Sequence, residues 1–240
     1  AAGSAPPVMH ARERLIVALD GDTLSSALTL ARRLRGVVQT VKVGSILFTA
    51  CGPEAIRRLQ ALGFGIMLDL KFHDIPSTVE RSARAAAQHR VRLLTVHASG
   101  EPAMLEAAVR GAREGAKRRR VQPPLVLGVT VLTSADGSSS VRSRVLGLAQ
   151  RALQAGCDGV VASAQEAAAL SRRFGRRLRI ACPGIRPHDR QDDQRRVATP
   201  QAAMAAGAHW LIVGRPITEA RDPRAAAQAI LAAMEDPEAC

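Results

Sequence analysis

Two lysines and two aspartates sit where apolar runs of this chain end, positions from which fixed charge can act on a bound molecule. Asp69 and Lys71 close one run and Asp74 follows three residues later, while Lys42 lies near the end of another, just before Val43 and Gly44. In a regular strand, side chains at i and i+2 share a face, so Asp69 and Lys71 are expected to point to one side and Leu70 to the other. With Lys42 approaching from a neighbouring strand and Asp74 in the following turn, the expectation is an alternating Lys, Asp, Lys, Asp array in which carboxylates keep each ammonium charged. Buried ion pairs gain little net stability because desolvation offsets their attraction, so four such groups at two strand ends read as a catalytic site rather than a brace. An ammonium held this way can stabilise developing negative charge and give up a proton.

A second group of residues suits an anion. Gly184-Ile185-Arg186-Pro187 and Gly214-Arg215-Pro216-Ile217 end two later runs. Glycine lets the backbone approach a ligand, its N–H can point at an anion, and Arg215 can add a charge-assisted pair. Together they predict a phosphate site.

The elements that must hold these residues follow from the hydrophobic pattern. Eight short apolar runs, Leu15–Asp20, Val37–Gly44, Gly65–Lys71, Arg92–Ser99, Leu125–Thr133, Gly159–Ser163, Leu178–Ile185 and His209–Gly214, alternate with Ala-rich segments of helical period. Ser77-x-x-Glu80 and Ser163-x-x-Glu166 read as capping boxes, and Thr199-Pro200 and Asp222-Pro223 place proline at the first helical position. Eight βα units in 240 residues predict an α/β fold, a single-domain (β/α)8 TIM barrel over 14–240, preceded by a poorly ordered extension at 1–13. Chemistry in such barrels sits at the carboxyl ends of the strands, where all the residues named above fall, and the loops after strands seven and eight commonly grip phosphate. Ser134–Ser140 reads as a flexible loop on that same face.

Composition bounds the rest. With 47% hydrophobic and 23% charged residues the chain is neither disordered nor collagen-like. No apolar run reaches the roughly 18 to 20 residues of a membrane span, and the opening residues lack the pattern of a signal peptide, so a cytoplasmic protein is expected. Cys51, Cys157, Cys182 and Cys240 are too scattered for a zinc or redox motif and read as buried or spare thiols. The net charge of +13, mostly arginine, could serve nucleic acid, an anionic ligand or only a solvated surface. Aromatics at 2% and the absence of tyrosine leave little on which to stack bases. Lys117 to Arg120 reads as a solvated turn, and His73 and His97 as structural.

The stretch Asp69-Leu-Lys71-Phe-His73-Asp74-Ile75-Pro76-Ser-Thr78 resembles the D-x-K-x-x-D-I-P-x-T signature of the orotidine 5′-phosphate decarboxylase family. The resemblance extends through Ala18-Leu19-Asp20, Lys42-Val43-Gly44, Val96-His97-Ala98-Ser99-Gly100, Val131-Leu132-Thr133-Ser134, Gly184-Ile185-Arg186-Pro187, Asp193-Gln194-Arg195-Arg196 and Gly214-Arg215-Pro216-Ile217-Thr218, from about residue 14 to 233. It implies decarboxylation of orotidine 5′-monophosphate to UMP, the last step of pyrimidine nucleotide synthesis, without metal or organic cofactor. Lys42, Asp69, Lys71 and Asp74 are then the catalytic array, with Lys71 the proton donor. A homodimer is implied, with Asp74, Ile75 and Thr78 reaching into the neighbouring subunit's site. Asp20 and Lys42 are expected on the ribose, Thr133 or Ser134 on the pyrimidine edge, and Gln194 between base and phosphate. Gly214 and Arg215 are expected on the phosphate, under a mobile loop that carries Arg186. After the fifth strand this chain is shorter than the family pattern.

Two other readings are available. Metal-dependent sugar-phosphate lyases of the same superfamily share the D-x-K-x-x-D frame but have a glutamate ligand where this chain has Lys42, and an ammonium cannot ligate Mg²⁺. A basic nucleic-acid-binding protein would use the charge but leaves the carboxylates at the strand ends without a role, so no specific nucleic-acid partner is expected.

Overall fold

A computed structural model describes residues 9–131, 139–187 and 197–235. Eight strands, β1 (Leu15–Leu19), β2 (Thr40–Gly44), β3 (Gly65–Phe72), β4 (Leu93–His97), β5 (Leu125–Val129), β6 (Gly159–Val161), β7 (Arg179–Cys182) and β8 (Trp210–Val213), pair in sequence order and close into a barrel, parallel at every seam. Each apolar run holds one strand: seven strands are shorter than their runs at one or both ends, and β3 extends one residue past its own, to Phe72. Around them lie α1 (Ala11–Arg14), α2 (Leu24–Leu34), α3 (Ser45–Cys51), α4 (Pro53–Ala61), α5 (Pro76–Gln88), α6 (Pro102–Arg119), α7 (Ser139–Gln154), α8 (Ala164–Phe174), α9 (Pro200–Ala205), α10 (Arg215–Thr218) and α11 (Pro223–Glu235).

Alternation along the strands divides the apolar residues between two cores. Ile16, Ala18, Met67, Leu93, Leu127, Val161 and Trp210 fill the lumen, while Leu15, Val17, Leu19, Val41, Ile66 and Leu94 face the helices. This parity fixes which polar residues can reach the mouth: Lys42, Asp69 and Thr95 each follow the inward set toward a strand's carboxyl end.

Thr199 caps α9, accepting from Ala202 N, and Ser163 caps α8 by accepting from Gln165 N rather than from Glu166 N as a capping box would have it. Asp222 Oδ1 accepts from Arg224 N and Ala225 N ahead of Pro223. Ser77 does not cap α5. Its N-cap is Ile75, because Pro76 needs no N–H partner and has its φ preset for the first helical position. The expected loop through Ser140 is shorter than anticipated, since α7 already begins at Ser139. Residues 11–14, within or beside the expected extension, form a helical turn, and Arg14 donates to the carbonyls of Ala208 and His209 at the entrance to β8.

Helices α5 and α6 lie in backbone contact. A Cβ at Gly111 would meet Glu80 O at 2.1 Å, and one at Gly115 would meet Arg84 O at 2.3 Å. Arg84 bridges Glu80 and Glu114, and Arg110 pairs with Glu80, across the same seam. Lys117 to Arg120 end α6 exposed to solvent. Among the described residues no helix is long and apolar enough to cross a membrane.

Candidate active site

The carboxyl ends of the strands enclose a cavity of about 370 Å³. Asp20, Lys42, Asp69, Lys71, Gly184, Arg186, Gly214 and Arg215 line it, with apolar wall from Ala18, Val129, Val131, Val161 and Ile212. Sequence reasoning named the charged and glycine residues and missed the apolar wall, whose members look like any other strand residue.

Four charged groups form a chain across one side of the mouth. Lys42 Nζ donates to Asp20 Oδ1 at 2.9 Å and lies 3.6 Å from Asp69 Oδ2. Lys71 Nζ donates to that same Asp69 Oδ2 at 2.9 Å. The array does alternate, but its members are Asp20, Lys42, Asp69 and Lys71, and Asp74 is not among them. This corrects the array expected from one chain. Asp74 is exposed, accepts a hydrogen bond from Ile75 N at 2.6 Å, and lies outside the cavity with Ile75 and Thr78. The turn that starts α5 carries it outward, whereas register pairing of Ala18 with Lys42 brings Asp20 alongside β2. Gly44 makes room for the Asp20–Lys42 pair, since a Cβ there would sit 3.0 Å from Lys42 Nζ and 3.2 Å from Asp20 Oδ1.

Asp69 is the buried centre of the array. Burial alone would raise its pKa, but the charges of Lys42 and Lys71, with hydrogen bonds from Lys71 and Thr95, outweigh burial and hold it below the usual carboxylate range. It is therefore an anion at neutral pH. Lys71 does not arrive by simple alternation. Its backbone is left-handed, φ 49°, within an irregularity where β3 advances from Leu68 to Phe72 while β4 advances only from Leu94 to Val96. The bulge turns the lysine toward Asp69.

Beside the Asp20 end of the array, where β8 pairs with β1, lie the strand ends expected to hold an anion. Gly184 has φ 75°, a left-handed conformation that favours glycine. Gly214 has no such need, and a Cβ there would make ordinary contacts with Ala18 and Asp20, at 3.7 and 3.9 Å. Its lack of a side chain leaves space rather than relieving strain. Arg215 opens α10 directly after it. Arg186 is buried, donates through Nη1 to Ile185 O, and is tied by its backbone N–H to Ala198 O in the bridge pairing Ile185 with Ala198. Thr133, Ser134 and Gln194 lie outside the described residues.

His73 and His97 face each other with ring centroids 5.3 Å apart, and neither lines the cavity. Burial, then the fields of His73 and Lys71, lower the His97 pKa against the pull of Asp69, which keeps it neutral. Cys157 and Cys182 are pushed up to about 12 chiefly by burial and stay as thiols. No three His, Cys, Asp or Glu side chains gather as a metal cage among the described residues. Both carboxylates at the mouth, moreover, already face ammonium groups.

The ion array and the Gly/Arg ends of β7 and β8 share one cavity at the carboxyl ends of a closed barrel, the face on which barrel enzymes carry their chemistry. The chain belongs to the orotidine 5′-phosphate decarboxylase / HUMPS family, whose sequence model matches residues 13–230. It is 44% identical over 236 residues to the orotidine 5′-phosphate decarboxylase of Syntrophotalea carbinolica, covering 95% of this chain and 97% of that one. It is 47% identical over 225 residues to that of Chromobacterium violaceum, covering 90% and 89%. The crystal structure of orotidine 5′-phosphate decarboxylase from Lactobacillus acidophilus superposes with a TM-score of 0.82 at 36% identity, covering 93% of this chain and 100% of that one.

Proposed function

We propose that this protein decarboxylates orotidine 5′-monophosphate to UMP, with Lys71 as the proton donor. The observation that carries the reading is the buried Asp69 carboxylate shared by the ammonium groups of Lys42 and Lys71, at the mouth of a cavity that also holds Gly214 and Arg215. Loss of CO₂ breaks the bond from C6 to the carboxyl group and leaves its electron pair on C6. The Lys71 ammonium faces that carbon, stabilises the pair and transfers a proton to it, and the resulting amine regains a proton from water. Asp69 lies beside the departing carboxylate, and two such charges about 4 Å apart repel by roughly 4 kcal/mol at an effective dielectric of 20. Enzymic rate gains can reach about 23 kcal/mol, so this repulsion is one contribution among several.

The phosphate rests on the Gly214 backbone and Arg215, with Arg186 closing over it. Asp20 and Lys42 hold the ribose, Thr133 or Ser134 the pyrimidine edge, and Gln194 joins base to phosphate. Asp74, Ile75 and Thr78 serve the site of a second copy in a homodimer. Ile75, 64% exposed, and Ile46, 51% exposed, follow adjacent strands and offer the apolar rim that such a partner would cover. The free thiols of Cys51, Cys157 and Cys182 suit a reducing cytoplasm.

The metal-dependent lyase reading needs a carboxylate ligand where Lys42 stands, and the ammonium there supports a metal-independent reaction instead. Loss of the ultraviolet absorbance of orotidine 5′-monophosphate on adding purified protein in excess EDTA tests reaction and metal independence together. Full turnover in chelator is expected; turnover only after Mg²⁺ is restored, or none at all, would reject the proposal.

A further inference from the structure

A threonine that no strand-end motif singled out sits where the array is assembled. Thr95, in the middle of β4, is fully buried among Leu93, Leu94 and Val96 of the same strand. Its Oγ1–H donates to Asp69 Oδ1 at 2.9 Å, and the same oxygen accepts from the Lys71 backbone N–H at 3.0 Å. A hydroxyl has one proton and two lone pairs, so these two bonds settle its orientation. They also assign both oxygens of Asp69: Oδ1 to Thr95, and Oδ2 to the two ammonium groups.

The position matters as much as the bonds. Thr95 falls in the gap between Leu94 and Val96, where β3 spends four residues against two and pairing between the strands lapses. There Lys71 takes up its left-handed backbone, a conformation that costs a non-glycine residue energy unless its surroundings compensate. The threonine hydroxyl supplies an acceptor to the N–H of that residue.

We infer that Thr95 is a positioning residue for decarboxylation: its one hydroxyl locks the bulge that presents the Lys71 ammonium and, at the same time, fixes the plane of the Asp69 carboxylate that orients it. Thr95 itself touches no reacting atom. The inference rests on the decarboxylation proposed above and extends it to a residue outside the cavity lining. Displacements of about 1 Å at a reacting group can cost about 100-fold in rate, so loss of the clamp should appear in kcat rather than in nucleotide affinity.

The test compares wild type, Thr95→Val, which keeps the shape and removes the hydroxyl, and Thr95→Ser, which keeps the hydroxyl. Active sites are counted by titration with a UMP analogue bearing an anionic oxygen at C6, so that unfolded protein is not mistaken for slow enzyme. The expected result is a fall of about 100-fold in kcat per site for Thr95→Val, KM changed by less than threefold, and recovery to within about fivefold for Thr95→Ser. A per-site kcat for Thr95→Val within threefold of wild type would overturn the positioning role while leaving the reaction in place. An inactive wild type would instead overturn the reaction. Should Thr95→Val fail to fold, Thr95→Cys, with a weak S–H donor of similar size, decides the matter: a loss of tenfold or more supports the clamp and unchanged kcat rejects it.

Discussion

Asp69→Asn is the perturbation with the most to say about this site, because one atom changes and three neighbouring side chains feel it. If the amide oxygen keeps the Thr95 hydrogen bond, the amide nitrogen replaces Oδ2 and presents hydrogens to Lys71 Nζ at 2.9 Å and Lys42 Nζ at 3.6 Å, donors against donors. At an effective dielectric of 20 the lost attractions are about 6 and 5 kcal/mol, upper limits because Lys71 is partly open to solvent and all three groups were desolvated on folding. Removing one member of a buried ion pair typically costs about 3 kcal/mol or more net. For a chain of this size that lowers Tm by roughly 6 to 12 °C.

The pH dependence has a definite sign. The folded pKa of Asp69 is depressed, so its contribution is complete above the unfolded carboxylate value near 4 and is lost as pH falls through the folded one. The stability gap between wild type and Asp69→Asn should hold steady from about pH 5 to 8 and close below about pH 4, as followed by circular dichroism. In kinetics, kcat should fall about 100-fold or more, the usual cost of removing one preorganised electrostatic group. Affinity for orotidine 5′-monophosphate relative to UMP should rise at least tenfold, since the repulsion of about 4 kcal/mol acts only on the ligand with the carboxylate. An unchanged ratio of the two dissociation constants would refute ground-state repulsion, and an unchanged Tm would refute the electrostatic account of the array.

Lys71→Ala should abolish decarboxylation while UMP binding stays measurable by calorimetry, and retained turnover would remove Lys71 as the proton donor. Mixing it with Asp74→Ala, itself expected to be nearly inactive, should restore about a quarter of wild-type activity per active site if Asp74 acts across a dimer, because random exchange gives half heterodimers with one intact site each; no recovery after verified exchange would assign Asp74 to its own chain. Arg215→Ala should lower kcat/KM at least 100-fold although Arg215 is remote from C6, because phosphate binding energy drives closure; near-normal turnover at low substrate would count against the phosphate assignment. Gly115→Val should cost about 2 kcal/mol or more through overpacking, lowering Tm by at least 4 °C, because its Cβ would meet Arg84 O at 2.3 Å. A Tm within 1 °C of wild type would mean that the seam between α5 and α6 yields freely.

How far the chain could be read in advance depends on which kind of neighbour placed each residue. The eight strands were legible because β-branched runs alternate with Ala-rich helices, and part of the cavity lining because Gly184 and Gly214, each at a strand end, precede arginine by two residues and by one. The array was legible only in part, since nearness in sequence stood in for nearness in space. Asp74, three residues beyond Lys71, is turned away by the start of α5, whereas Asp20, on another strand, reaches Lys42 because Ala18 and Lys42 are register partners. Asp69 and Lys71 do meet, but through a left-handed residue in a bulge that no two-residue alternation describes. Thr95 left one usable signal: a lone hydroxyl inside the run Leu93–His97 is buried and must find partners. The charges are thus set by three strand seams at once, with Ala18 opposite Lys42, Gly44 opposite Asp69, and Thr95 filling the gap beside Lys71. A slip of one residue at any seam would turn a charged group out of the lumen, so the site is specified by the register of the barrel as much as by its signature residues.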